Sequence, residues 1–242
     1  MQDDKVISSW EFKEQLKGEK SFKLYSGIEG IDRLIDGFEP GELYVLSGAT
    51  KHGKSTVFQM LTQSFEQNEI YSLWFSYEIP ARQLITRFKN LPLFYLPQKL
   101  KGNVITYLKA KIIEAKANYA VRIVFIDHLH YLLDLAKMRN PSLEIGKVIR
   151  DLKTLAIEQG VIIFLACHLT KLQPDKEPTA ADMRDSSFMA QESDCVMILW
   201  RTKNSINTSR LKIEFHRRIG IIEKTVDLIY VDGELKENVW IK

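Results

Sequence analysis

The 242-residue sequence predicts an α/β protein with a mostly parallel central sheet, helices on both faces and antiparallel strands finishing one edge. Three observations carry that reading. Short apolar runs alternate with amphipathic helical stretches, which is the pattern of a parallel sheet covered on both sides. A glycine-bounded loop, Gly48-Ala49-Thr50-Lys51-His52-Gly53-Lys54-Ser55, stands between one apolar run and one helix. After residue 200 the texture changes to polar and apolar residues in alternation, as in antiparallel strands.

Taken in order, residues 1–20 form a separate segment and residues 21–242 one domain. Ser9-Trp-Glu-Phe-Lys-Glu-Gln-Leu16 reads as a short amphipathic helix that packs on this core or on a neighbour. Strands are expected near 43–47, 71–76, 121–126, 161–167 and 194–200. The stretch Ser55 to Phe65 reads as a helix, and 102–118 and 142–159 as crossover helices. Arg210 to Phe215 and Lys224 to Val231 alternate as edge strands. A hydrophobic content of 45% suffices for one large core, and no repeat or low-complexity linker argues for two.

Composition also excludes some classes. Apolar runs such as Val161 to Cys167 are far too short to cross a bilayer, and the charged start Met1-Gln-Asp-Asp-Lys5 lacks the pattern of a secretory signal. The expectation is a soluble, cytoplasmic protein with no membrane partner. Cys167 and Cys195 lie in apolar strand-like runs, where a packed thiol is expected rather than a disulfide. A net charge of +3 permits nucleic-acid binding without demonstrating it.

Chemistry begins at the glycine-bounded loop, which fits the phosphate-loop pattern GxxxxGK[ST] in full. Backbone amides around Gly48, Ala49, Thr50, Lys51, His52 and Gly53 form an anion nest, Lys54 bridges the outer phosphates, and Ser55 ligates magnesium. Thr56 follows at the start of the helix, whose positive end also faces the phosphates. Val121-Arg-Ile-Val-Phe-Ile-Asp127 is an apolar strand ending in an acid, and Asp127 is expected to hold the ion through water. Leu73-Trp-Phe-Ser-Tyr-Glu78 ends likewise. In a parallel topology both strands finish beside the phosphate loop, which makes Glu78 the candidate general base. His128 and His130 alternate with no cysteine or third ligand nearby, so a zinc site is not expected.

Five further segments carry a resemblance. Ser76-Tyr-Glu-Ile-Pro80, Phe125-Ile-Asp-His128, Ala166-Cys-His-Leu-Thr-Lys171, Met183-Arg-Asp-Ser-Ser187 with Asp194, and His216-Arg-Arg-Ile-Gly220 occur in this order. Together they resemble the hexameric replicative helicases of the DnaB and Twinkle type, over residues 24–240. The resemblance implies a RecA-like phosphate-loop fold and an ATP- and Mg2+-dependent motor. Such a motor forms a homo-oligomeric, hexameric ring around single-stranded DNA.

The same resemblance implies roles for individual residues. His168 would sense the terminal phosphate, Arg201 would contact nucleotide, and Arg218 would reach the phosphate of an adjacent subunit. Where the family has a lysine ahead of that arginine, this chain has His216. The loop 171–187 would line the DNA channel, with Lys171, Arg184, Asp185, Ser186 and Ser187 as candidate contacts; the family commonly has glycine where Ser187 stands. Primase, polymerase and a loader are implied partners. The expectation is a motor without a preceding primase or helical domain, of bacterial, phage or plasmid origin, either complete or cut from a longer protein. Two alternatives share parts of the pattern: a recombinase-like or KaiC-like ATPase, and a non-catalytic ATP-binding scaffold.

Overall fold

The computed structural model describes residues 5–17, 23–100, 105–132, 141–169, 177–183, 186–201 and 207–238. In chain order the elements are α1 (Ser9–Gln15), α2 (Glu29–Ile35), β1 (Leu43–Gly48), α3 (Lys54–Gln67), β2 (Ser72–Ser76), α4 (Ala81–Thr86), α5 (Ile105–Tyr119), β3 (Ile123–Asp127), α6 (Pro141–Gln159), β4 (Ile162–His168), α7 (Ser186–Glu192), β5 (Cys195–Arg201), β6 (Thr208–His216), β7 (Gly220–Val231) and β8 (Glu234–Glu237). The strands make one eight-stranded sheet in the order β2-β3-β4-β1-β5-β6-β7-β8. The first five of that order are parallel. The rest pair antiparallel.

Both faces of the sheet are buried, which is why its strands read as continuous apolar runs. Along β1, Leu43 and Val45 join the core with α5, α6 and α7, while Tyr44 and Leu46 join the core with α2, α3 and α4. The second core is aromatic: Phe125 stacks on Phe164 at 5.1 Å, and Phe58 meets Phe125 at 5.0 Å. Each such ring, fully buried, contributes about 1.5–3 kcal/mol. Trp74 is tolerated there because its indole N–H donates to Thr62 Oγ1 at 2.9 Å. Cys167 and Cys195 are buried free thiols. Among the described residues no helix is long and apolar enough to cross a membrane.

The parallel strands and long helices fall within a few residues of their expected positions. Four elements do not announce themselves. Helix α2 carries a glycine at its second residue, α4 is a six-residue helix starting after Pro80, α7 begins at the last two residues of the expected loop 171–187, and β8 is a four-residue edge strand. The turn before β8 depends on Gly233, at φ +86°. Helix α1 has a capping box between Ser8 and Glu11, yet none of its residues is buried.

Parallel direction puts the carboxyl ends of five strands on one edge. Register aligns Gly48 with His168 and with Leu199, and Ser76 with Asp127. The opposite edge collects the starts of β1 and β5 and, because β6 runs back, the turn between β6 and β7.

Candidate functional site

The loop after β1 is shaped by close packing against β5. A Cβ on Gly48 would lie 2.7 Å from the Leu199 carbonyl oxygen, so only glycine fits. Gly53 turns at φ +98° and Lys51 at +67°, which curls the backbone before α3 begins at Lys54. The Lys54 ammonium is buried and donates to the carbonyls of Gly48 at 2.9 Å and Ala49 at 3.2 Å. It also lies 3.2 Å from His168 Nδ1. Burial lowers the pKa of Lys54, while Glu78 and Asp127 oppose that shift. His168, half-buried at the end of β4, is held down by burial and then by Lys54, so its neutral ring accepts at Nδ1.

Ser55 and Asp127 are brought together by the parallel register. The Ser55 hydroxyl donates to Asp127 Oδ2 at 2.7 Å, and Asp127 Oδ1 is buried with no hydrogen-bond partner. A hydroxyl and an unpaired carboxylate oxygen are hard donors of the kind magnesium takes alongside phosphate oxygens. Among the described residues no group of three His, Cys, Asp or Glu side chains could hold a metal ion. Burial raises the Asp127 pKa, opposed by the Ser55 bond. Arg87, just past α4, also lowers it, a contribution that no motif signals.

Glu78 lies beyond β2 and is exposed. Its N–H and that of Tyr77 donate to the Asp127 carbonyl at 3.1 and 2.7 Å, which pins this segment to the end of β3. The carboxylate acts electrostatically on Lys54, Asp127 and His168 alike. His130 falls in a 3-10 turn, Leu129–Leu132, and His128 is the residue between β3 and that turn. His128 meets His168 at a tilt of 38° with ring centroids 3.8 Å apart, and burial first, then His168 and His130, keep it neutral.

On the other side of the loop a cavity of about 240 Å³ is lined by His52, Thr56, Leu199, Arg201, Asn207 and Tyr230. Arg201, at the end of β5, donates its N–H to His52 Nδ1 at 3.4 Å. Burial, then Arg201 and Lys54, keep His52 neutral. Asn207 and Tyr230 were not singled out in the sequence. They reach the loop only because β6 and β7 fold back beside β5.

Arg218 is not in this group. It sits in the turn between β6 and β7, at the edge opposite the chain's own phosphate loop. Its Nε donates to Glu42 Oε1 at 2.7 Å, its Nη2 to the carbonyls of Gly37 at 2.8 Å and Ile35 at 3.3 Å, and its Nη1 lies 3.4 Å from Glu39. His216 is fully buried beside the Tyr44 hydroxyl, and burial keeps it neutral rather than cationic. Lys171, Arg184 and Asp185 lie outside the described residues. Ser186 and Ser187 open α7, and their side chains are likewise outside them.

A sequence model of the DnaB-like helicase C-terminal domain matches residues 24–91 and 88–232. The chain belongs to that family. Its similarity to replicative DNA helicases DnaB is spread along the domain: 23% identity over 214 residues with that of Pasteurella multocida, covering 73% of this chain and 46% of the relative. With that of Mycoplasma pneumoniae it is 26% over 230 residues, covering 78% and 49%. The chain thus spans about half the length of the curated relatives it matches. Among solved structures, a DnaB-like replicative helicase described with its interactions with primase aligns at TM-score 0.78 and 21% identity, covering 98% of this chain and 68% of that one. A solved ATPase domain aligns at TM-score 0.79 and 21% identity, covering 98% and 100%. The RecA-like helicase ATPase fold is the one these neighbours share with the DnaB-like domain described here.

Proposed function

We propose that this DnaB-like domain is an ATP-dependent DNA helicase motor that forms a ring, translocates on single-stranded DNA and unwinds duplex by excluding the other strand. The observation that carries the reading is the convergence of Lys54, the Ser55 and Asp127 pair, Glu78 and His168 at one edge of the sheet. Lys54 and the loop amides bind and orient the phosphates, and a magnesium ion would be held by Ser55 directly and by Asp127 through water. The ion, when bound, neutralises charge on the outer phosphates. Glu78 aligns the attacking water and takes its proton, while His168 reads the terminal phosphate at the end of β4. The cavity at His52, Arg201 and Tyr230 receives the nucleoside. Hydrolysis is completed by an arginine from the β6–β7 turn of an adjacent subunit, since that turn lies too far from its own loop to serve it.

The similarity to a helicase described with primase makes primase a proposed partner, and a cytoplasmic setting goes with it. Residues 21–242 are proposed as the motor, with 1–20 as a linking segment. The test is the ATPase rate with and without single-stranded DNA, measured beside the mass of the assembly. Stimulation in a hexamer supports the motor; a filament favours a recombinase, and no turnover a scaffold. Arg184→Ala is expected to weaken single-stranded DNA binding and reduce its salt slope by about one, with ATP binding spared. Unchanged DNA affinity would remove loop 171–187 from the channel.

A further inference from the structure

Three imidazoles meet at the carboxyl edge, and the function proposed above uses one of them. His168 ends β4 and His128 follows β3, with ring centroids 3.8 Å apart; His130 lies 5.0 Å from His128 and 5.8 Å from His168. His128 is the most deeply buried, at 1% exposure. Parallel pairing of β3 with β4 brings these rings together, since it lays the end of one strand beside the end of the other.

Hydrogen bonds fix which nitrogen of each ring carries its proton. An ammonium has only donors, so His168 Nδ1, 3.2 Å from Lys54 Nζ, accepts, and the proton of that ring is on Nε2, the nitrogen left to donate to a phosphate oxygen. The His130 N–H donates to His128 Nδ1 at 3.4 Å, which puts the proton of His128 on Nε2 as well. His130 Nδ1, 3.3 Å from the same acceptor, is then a second donor to it. His128 Nε2 itself is buried with no hydrogen-bond partner. A buried donor without an acceptor is costly, so an arrangement that supplies one is favoured. When nucleotide draws the Lys54 ammonium onto phosphate, His168 Nδ1 loses its donor. The ring in contact with it carries the donor that has nothing to bond.

We infer that His128 is a positioning residue for the terminal-phosphate contact: its Nε2–H takes the place of the Lys54 ammonium at His168 Nδ1 once nucleotide is bound. This rests on the proposed role of His168 and adds a residue to it. Two side chains already in contact reach that bond by rotation, without movement of the strands that carry them. The bond keeps the proton of His168 on Nε2 and so keeps an N–H turned to the phosphate. Without it Nδ1 is free to carry the proton, and the ring then offers the phosphate a lone pair instead of a donor.

Affinities for ADP and for a non-hydrolysable ATP analogue, measured with magnesium in the full chain, test it, because their ratio reads the terminal phosphate alone. His168→Ala is expected to lower that ratio about 10-fold, the loss of one hydrogen bond to a charged oxygen. His128→Phe, which keeps a flat ring but has no donor, is expected to lower it as far, with ADP affinity and melting temperature little changed. His128→Gln, whose amide nitrogen stands near the Nε2 position, keeps the parental ratio. His128→Phe combined with His168→Ala falls no further than His168→Ala alone, because both act at one contact. Where the phenylalanine variant does not fold, His128→Asn, whose amide ends near the Nδ1 position, replaces it with the same expectation. A parental ratio in the donorless variant, an equal loss in folded His128→Gln, or additive losses in the double variant overturns the inference while leaving His168 its role. An unchanged ratio in His168→Ala removes that role, and the inference with it.

Discussion

The two edges of the central sheet handle buried charge in opposite ways. At the carboxyl edge Asp127 keeps one oxygen without a partner, Lys54 is buried on its own loop, and Glu78 is left to solvent. At the amino edge the buried carboxylates are answered: Glu42 by Arg218, and Asp194 by Lys153, Arg217 and the Leu43 N–H. Polar groups left incompletely satisfied in a buried site mark a place where a ligand completes them. Groups satisfied within the chain hold the fold together. The difference teaches that the carboxyl edge leaves buried polar groups open to a ligand, while the amino edge satisfies its own within the chain.

The largest effect expected is at the amino edge. Arg218→Ala should cost about 3 kcal/mol of unfolding free energy, the lower end for breaking a buried pair because the arginine is partly exposed. Denaturant unfolding with fixed slope measures it, and an unchanged midpoint would break the comparison. Next comes the carboxyl edge, where Glu78→Gln should lower turnover by about 10²-fold, near 2.7 kcal/mol of transition-state stabilisation, while ATP binding and melting temperature hold. A near-parental rate takes the base role from Glu78; a large loss of stability would make it structural instead.

The smallest effect is in pH. His216 has a folded pKa below its usual 6.5, from burial first and then Arg218, so its contribution is complete above about pH 6.5 and is lost as pH falls toward the folded value. Glu42 has a folded pKa below its usual 4.5, so its contribution is complete above about 4.5 and is lost as pH falls through the lowered value. Unfolding free energy should therefore be level above neutrality and decline in two stages on acidification. In Arg218→Ala the second stage should vanish, because burial without the guanidinium no longer holds Glu42 low. Persistence of both stages in that variant would separate Glu42 from Arg218.

Much of this was legible in the chain. The phosphate loop, the strands ending near Glu78 and at Asp127, and the strand ending at His168 are contiguous in sequence, and each is a local pattern of apolar run, turn and acid or base. Their meeting at one edge follows from parallel direction alone. Helix α2 and strand β8 escaped because short, charged segments with a glycine nearby have no periodicity strong enough to read. Arg87, Asn207 and Tyr230 escaped because they approach the loop from distant parts of the chain.

By itself the sequence determined the parallel sheet, its two covered faces and which residues end the strands at the carboxyl edge, because spacing along a strand or helix is a local property of the chain. It could not say how Arg217 and Arg218 are each held. Two adjacent arginines are equivalent in one dimension. They differ only once Glu42, Glu39 and the end of α2 close on one guanidinium while Asp194 keeps Lys153 beside the other. How each is held is set by burial and by partners distant along the chain, Glu42 lying 176 residues from Arg218, and only the tertiary structure brings those together.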